Sequence, residues 1–363
     1  QEPIRIPGAV QPHGALLVLR PDDLAVVQAS ANASAVLGFD LAPDRTPRLA
    51  DLPFGKGSFA DDIGCWSTGA EGFYLKAHRL AGRPFEVSAH RARQGLVLEF
   101  EPVCDGEDAS ETFYPLLRDF LDESEALPDT QRLAEAVAVR VRRLTGFHRV
   151  MIYRFDAEWN GTVIAEDGDG TLPSYLDLRV PASDIPAQAR DLYLLNRLRI
   201  IPTCNYTPVP LEPALSPVDG APLDLSFAAL RSVSPVHLDY MRNMGTVASM
   251  SISLIVSGKL WGLISCHHAR ERRVGAQVRA GNRVQRVRRR HRDAAGVRVL
   301  DDRHGGLDEV ESGAQGRVSI DVVVVRHLLA LQLGRLGDTV ATRAGVDLGA
   351  RRLLLAGAGG RGG

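Results

Sequence analysis

The sequence predicts an α+β protein built from two antiparallel sheets flanked by helices, and three observations carry that prediction. Short apolar runs come in pairs across turn residues: Ala15–Leu19 and residues 24–30 flank Pro21-Asp22-Asp23, and Ala248–Val256 and Lys259–His268 flank Ser257-Gly258. Helical patterns are few and interposed between such runs, which places helices against the sheets. The composition then breaks: Trp261 is the last aromatic residue, and residues 269–363 contain no Phe, Trp, Tyr, Pro, Lys, Met or Cys. A stretch of that length without aromatic side chains is not expected to build an ordinary core.

Bulk properties narrow the function classes. A length of 363 residues suggests two or three domains, and 45% hydrophobic with 24% charged residues is ordinary for a globular protein. A formal net charge of −1 gives no general attraction to nucleic acid or to a membrane surface. No apolar run approaches the roughly 18 residues of a membrane helix. Residues 1–4 show no signal-peptide pattern, and the absence of an initiator Met points to further residues upstream. Cys65, Cys104, Cys204 and Cys266 are widely spaced without a CxxC pair, which favours free thiols in a reducing cytosol over disulfides or a zinc site.

In chain order, residues 4–14 form an extended, turn-punctuated arm. The 15–19 and 24–30 strands follow, then helical patches around 31–38, then alternating strands at 83–91 and 96–101 joined through Gly95. An acidic, loop-like stretch, 101–111, links this region to the next. There, 112–123 and 129–144 read as amphipathic helices, with Leu133, Val137, Val141 and Leu144 on one face and Gly146 as the stop. Arg149–Phe155 and residues 161–166 are expected to pair as strands. Prolines at 202, 208, 210, 213, 217 and 222 mark a long non-helical loop. Ser234-Pro235 starts a helix that Gly245 ends, with His237, Tyr240 or Met241, and Met244 on one face. In the closing hairpin Ser249, Ser251 and Ser253 lie on one face and Met250, Ile252 and Leu254 on the other.

Residues 181–186, Pro-Ala-Ser-Asp-Ile-Pro, hold the most constrained backbone. Two prolines with fixed φ bracket Ser183 and Asp184, and the residue preceding each is pushed out of the α region, which predicts a stiff extended segment. A helix pattern begins at 187, so the plain reading is a cap by Ser183 or Asp184 with Pro186 at the first helical position. The plain reading of the serine face is solvent exposure, and a polar cavity wall competes because paired histidines lie one hairpin away. Cys266, His267 and His268 cannot converge on one metal ion, since adjacent strand residues point to opposite faces. Ser234, His237 and Asp239 share one helical stretch and lack a nucleophile elbow, which discounts a triad. The terminal Gly-rich run 357–363 lacks the Lys-Ser/Thr of a phosphate loop.

Four stretches in order resemble the bacterial phytochromes, the bilin-binding red-light receptors. Ile6-Pro7-Gly8 with Gln11-Pro12-His13-Gly14 is similar to the start of that family's PAS domain, and residues 181–186 are similar to the bilin loop of its GAF domain. Leu230-Arg231-Ser232-Val233-Ser234-Pro235-Val236-His237 through Tyr240, Asn243-Met244-Gly245, and Trp261-Gly262-Leu263 through His267-His268 resemble the rest of the pocket. The resemblance covers residues 1–268. It implies a PAS domain at 1–104, a linker at 105–111, a GAF domain at 112–269 and an unmatched tail at 270–363. It further implies biliverdin in the GAF pocket, light-driven bilin isomerisation, and a knot in which the N-terminal arm passes through a GAF loop, with 202–222 long enough to be part of that lasso.

Residue by residue, the resemblance implies that the Asp184 carbonyl accepts pyrrole N–H bonds while its side chain relays structural change, with Ile185 and Pro186 beside it. His237 would sit next to the pyrroles, and His267 would bond the outer-ring carbonyl. Arg231 and Arg199 would pair with propionates, helped by Tyr193, Ser249 and Ser251. Tyr153 and Tyr240 would pack around the isomerising ring. A homodimer through the GAF helices, a cytoplasmic location and no membrane or nucleic-acid partner are also expected. The rivals are a GAF domain that binds a cyclic nucleotide without photochemistry, and a signalling enzyme with a kinase beyond residue 363.

Two departures qualify this picture. The family's bacterial members attach biliverdin through a cysteine about three residues before what is here Glu2, and the plant-type attachment position falls on Val236. Non-covalent binding is therefore expected of residues 1–363, with the thiol upstream of Gln1. Residues 270–363 resemble neither a PHY nor a kinase domain, so no phosphotransfer is expected, and their Arg/Gly/Val/Ala bias suggests out-of-frame reading of a GC-rich gene. Within them 328–336 and 346–355 could be helical, and the basic run 286–292 reads as solvated or disordered. An impaired or quickly reverting photoproduct, with fluorescence, is the expected consequence.

Overall fold

The computed structural model describes residues 3–41, 46–55, 57–69, 73–103, 127–256 and 258–274. The linker 105–111, the helices expected at 112–123, 328–336 and 346–355, and the basic run 286–292 lie outside the described residues.

The first sheet contains β1 (Ala9–Val10), β2 (Ala15–Leu19), β3 (Val26–Ser30), β4 (Phe73–Leu80), β5 (Arg83–Ala92) and β6 (Gly95–Pro102). Strand β2 is apolar throughout rather than alternating, and both its faces are covered. Leu17 and Leu19 pack on the side of α1 (Ala33–Leu37) and α2 (Ser58–Thr68), together with Phe59, Ile63 and Phe85. Leu16 and Val18 pack on the other side against Leu223, Leu225 and Leu230, which arrive from far along the chain. An apolar run buried on both faces needs no alternation.

The second sheet contains β7 (Arg149–Phe155), β8 (Gly161–Gly168), β9 (Arg179–Val180), β10 (Leu198–Ile201), β12 (Ala248–Val256) and β13 (Lys259–His268), in the order β10-β12-β13-β7-β8-β9. Three helices accompany it: α3 (Thr130–Thr145), α4 (Ala187–Leu195) and α5 (Pro235–Asn243). The Asp129 carboxylate caps α3 by accepting from the Arg132 amide at 2.8 Å, and Gly146 ends it at φ 66°. Arg272 donates to the last-turn carbonyl of Thr145, where a cation complements the helix dipole. The helix buries Leu133, Ala134, Ala138 and Thr145, so the contact line is turned toward its small residues relative to the Leu133/Val137/Val141/Leu144 stripe expected. Alanines at 134 and 138 let the helix axis approach the sheet.

The proline-rich loop holds one strand, β11 (Val209–Glu212), and this strand crosses into the first sheet. It lies between β1 and β3, giving that sheet the order β1-β11-β3-β2-β6-β5-β4. The N-terminal arm is bonded on both sides by residues of the second region. Leu211 donates to the Gly8 carbonyl at 3.0 Å, while the Gln11, Leu225 and Ser232 backbones bond Leu230, Arg5 and Ala9. The buried Glu99 carboxylate accepts from the Leu230 amide at 2.6 Å and ties β6 to the same segment. The two sheets are thus joined by shared backbone bonding.

Candidate functional site

The alternation of β7, β10, β12 and β13 divides the second sheet into two unlike faces. Val150, Ile152, Met250, Ile252, Leu254, Ile264, Cys266, Leu198 and Ile200 form an apolar cluster with Ala134 and Ala138 of α3. The opposite face carries polar groups in transverse rows, because residues directly paired across strands share a side. One row runs Arg199, Ser251, Ser265, Met151, and the next runs Ile201, Ser249, His267, Arg149. The serine face is therefore a covered wall: Ser249 and Ser253 are buried, and the Ser253 hydroxyl donates to the Tyr193 carbonyl of α4 at 2.7 Å.

Tyr153 extends this face into an aromatic and aliphatic cluster with Met151, Val163 and Leu263, and with Tyr175, Ile185 and Tyr193 packed at its margin. The absence of a side chain at Gly161 makes room for the Tyr153 ring. A Cβ there would stand 1.7 Å from the Tyr153 Cε1 atom. Burial pushes the Tyr153 phenol up, with Tyr240 and Asp184 acting in the same direction.

Helix α5 turns Leu238 and Met241 toward Ile201 and Cys204, and presents His237 and Tyr240 on its other side, their rings stacked at 6.3 Å. That separates Met241 from the His237 face and settles the choice between Tyr240 and Met241. The Tyr240 hydroxyl is hydrogen-bonded to the Asp184 carboxylate, and burial with that carboxylate raises the Tyr240 pKa.

The capping role expected of Ser183 or Asp184 is not what the structure has. Pro186 is itself the cap residue of α4, with no side-chain cap bond, rather than the first helical residue. The segment between the prolines is not extended either: Ala182–Asp184 forms a single 3-10 turn closed by the Asp184 amide on the Pro181 carbonyl at 3.1 Å. The fixed φ of Pro181 and Pro186 holds the ends extended (ψ 155° and 157°), and the turn between them sets the exposed Asp184 side chain toward Tyr240.

Two guanidinium groups adjoin the serine wall. Arg199 donates to the Ala229 carbonyl at 3.0 Å and to the Arg231 carbonyl, while Arg231 donates to the Ile4 carbonyl at 2.5 Å. Both are thus part-committed to backbone carbonyls. Among the described residues neither forms an ion pair with a carboxylate, and the buried Arg231 Nε has no partner. Burial, then the neighbouring Arg199 charge, pushes Arg231 down to about 9, and burial likewise lowers Arg199. Two adjoining cations, Arg231 buried and Arg199 half-buried, bonded among the described residues to carbonyl oxygens, suit an anionic ligand.

His267 lies at the far end of the second row, 7% exposed, with Nδ1 2.8 Å from Arg149 and Nε2 3.1 Å from the Ser265 hydroxyl. Burial, followed by the Arg149 and His237 charges, lowers its pKa to about 3. Arg149, Ser265 and Tyr175 were not among the residues expected from the sequence. Period two from Tyr153 back to Arg149, and from His267 back to Ser265, places the first two on the site face.

The PAS-fold family model matches residues 1–103, and the GAF-domain family model matches residues 129–279. Cyanobacterial phytochrome B of Nostoc sp. is 43% identical over 287 residues, covering 77% of this chain and 38% of that protein. A bacteriophytochrome of Pseudomonas aeruginosa is 41% identical over 290 residues, covering 77% and 38%. The chain spans about two fifths of the length of these relatives. Among solved structures, the chromophore-binding domain of a Stigmatella aurantiaca phytochrome superposes with a TM-score of 0.68 at 47% identity, covering 76% of this chain and 92% of that one. The chromophore-binding domain of an unusual bacteriophytochrome from R. palustris gives a TM-score of 0.69 at 35% identity, covering 93% and 98%.

Proposed function

This chain belongs to the phytochrome family through a bacteriophytochrome-type PAS–GAF portion, and from that premise we propose that it is a red/far-red photoreceptor module holding biliverdin against the polar face of its second sheet. The observation that carries the reading is the pair of rows Arg199–Ser251–Ser265 and Ser249–His267–Arg149, beside the apolar Tyr153 cluster on the same face. A flat ligand that carries carboxylates beside rings with apolar substituents matches that division. When bound, the bilin supplies the visible absorption and the double-bond isomerisation.

The residues divide the remaining work. Arg231 and Arg199, with Ser249, Ser251 and Tyr193 beside them, hold the carboxylates. The Asp184 carbonyl, positioned by the 3-10 turn and flanked by Ile185 and Pro186, accepts bilin N–H donors. The Asp184 side chain couples that contact to Tyr240, so a change in the ligand is felt on α5. His237 faces the pyrroles, His267 meets a ligand carbonyl, and Tyr153 and Tyr240 enclose the ring that turns.

Attachment in residues 1–363 is non-covalent on this reading. Cys204 and Cys266 are buried, and burial raises both thiols, which disfavours the nucleophilic thiolate, while the exposed Cys65 lies on α2, packed against the first sheet rather than the second. Position 236 is a valine at the exposed start of α5. We extend the proposal to a cytoplasmic homodimer through second-domain helices, with no catalytic step asked of residues 3–274.

Thermal unfolding with and without ligands tests the site. Biliverdin should raise the transition, since a ligand at about 100 times its Kd adds about 2.7 kcal/mol of apparent stability. Cyclic AMP and cyclic GMP should leave it in place. A shift with a cyclic nucleotide and none with biliverdin would replace this reading with that of a small-effector sensor.

A further inference from the structure

Arg149 is the largest side chain with almost no exposure, at 1%, and it is a cation without a carboxylate partner among the described residues. Its guanidinium lies 3.9 Å from the centroid of the Tyr175 ring, donates to the Pro173 carbonyl, and meets His267 Nδ1 at 2.8 Å. The Tyr175 loop is itself pinned, because its amide donates to the Glu166 carboxylate at 2.8 Å. A guanidinium has only donors. At the Arg149–His267 contact the imidazole nitrogen must therefore accept, so Nδ1 carries the lone pair and Nε2 carries the proton.

We propose that Arg149 is a positioning residue that locks His267 as the neutral Nε2–H tautomer, making it a fixed hydrogen-bond donor toward the ligand side of the sheet. This deepens the photoreceptor reading and rests on it for the identity of the acceptor, a carbonyl oxygen of the bilin. The groups that face His267 agree with the assignment. Arg149 comes from β7, Ser249 from β12, Ser265 from β13 itself and His237 from α5, and Tyr175 backs the guanidinium. No carboxylate is among them, so nothing favours imidazolium, and burial opposes it. The Ser265 hydroxyl, 3.1 Å from Nε2, accepts that proton until a ligand oxygen competes for it. Lysine at 149 would keep a donor and a charge but lose the stacked fork, so it is a partial substitute.

The test is histidine-selective 15N NMR of the full chain without bilin, recorded from pH 5 to 9. His267 should show a pyridine-like Nδ1 and a pyrrole-like Nε2, with no titration in that range. In Arg149→Met the two signals should move toward each other as tautomers exchange, and the titration midpoint should climb toward the ordinary histidine value of about 6.5. Arg149→Lys should restore most of the wild-type pattern. A pyrrole-like Nδ1 in the wild-type chain would overturn the proposal, whether or not the variants fold. A loosened fold in Arg149→Met with an unchanged His267 tautomer would also overturn it, assigning Arg149 to the Pro173 loop alone. If the tautomer is as proposed but biliverdin does not bind, the Arg149 assignment stands and the photoreceptor reading falls.

Discussion

The two faces of the second sheet come from the same strands and have opposite chemistry. On one, Val150, Ile152, Met250, Ile252 and Cys266 meet the alanines of α3 in a closed apolar core. On the other, alternate residues of those strands bury Arg149, His267, Ser249 and Ser253 beside the half-buried Arg199 and Ser251, with Arg149 Nε lacking a partner among the described residues. Burying polar groups without full pairing costs stability, so the second face is not explained by folding alone. On the reading proposed above, a bound bilin completes it. The first face holds the fold, and the second spends part of that stability on a site.

Changes on the two faces should separate accordingly, and the largest effect belongs to the core. Ile152→Ala should cost about 2–5 kcal/mol in urea unfolding through lost burial and a cavity, whereas Ser251→Ala should stay within about 0.5 kcal/mol. A serine variant as destabilising as the core variant would break the comparison. The pH response comes next. His267 is held at about 3 in the folded chain, against about 6.5 for an ordinary histidine, so the unfolded chain binds more protons between those values. Its contribution is complete above about pH 6.5 and is lost as the pH falls, by up to about 1.4 kcal/mol per pH unit. His267→Gln should flatten that part of the stability–pH curve, and an unchanged slope would mean that His267 titrates normally.

Gly161→Ala should have a smaller effect, about 1–3 kcal/mol, because the added Cβ meets the Tyr153 ring and must displace it. Biliverdin affinity should fall with it, and titration by visible absorption would show whether the ring position matters to the ligand. The smallest structural effect is expected at Asp184→Ala, within about 0.5 kcal/mol of wild type, since the side chain is exposed and caps nothing. The absorption of bound bilin should nonetheless change through the loss of the Tyr240 contact. An unchanged spectrum would remove Asp184 from the site.

The division between the faces was legible in the sequence where period two is strong. The alternation of Ser249, Ser251 and Ser253 with Met250, Ile252 and Leu254 survives intact. The strands β2 and β3, the limits of α3 and the helix at α5 were legible through turns, caps and prolines. What local rules could not supply depends on partners distant in the chain. Strand β11 is four residues containing a proline, and it is a strand because residues 8–10 and 29–30 pair with it. Asp184 has a capping residue's local pattern, yet it turns to Tyr240, reached only through the fold. Arg149 sits in an ordinary strand motif, and its importance appears when His267 is laid beside it. Helix α2 and strand β4 were also absent from the sequence reading, although Phe59, Ile63 and Trp66 follow helical spacing.

The claim that the polar face is built for a light-absorbing ligand is tested most directly by light-minus-dark absorption of the purified chain mixed with biliverdin. A new red band that diminishes under red illumination and returns in the dark is predicted, with the bilin released on denaturation. A spectrum identical to that of free biliverdin, before and after illumination, would contradict the account.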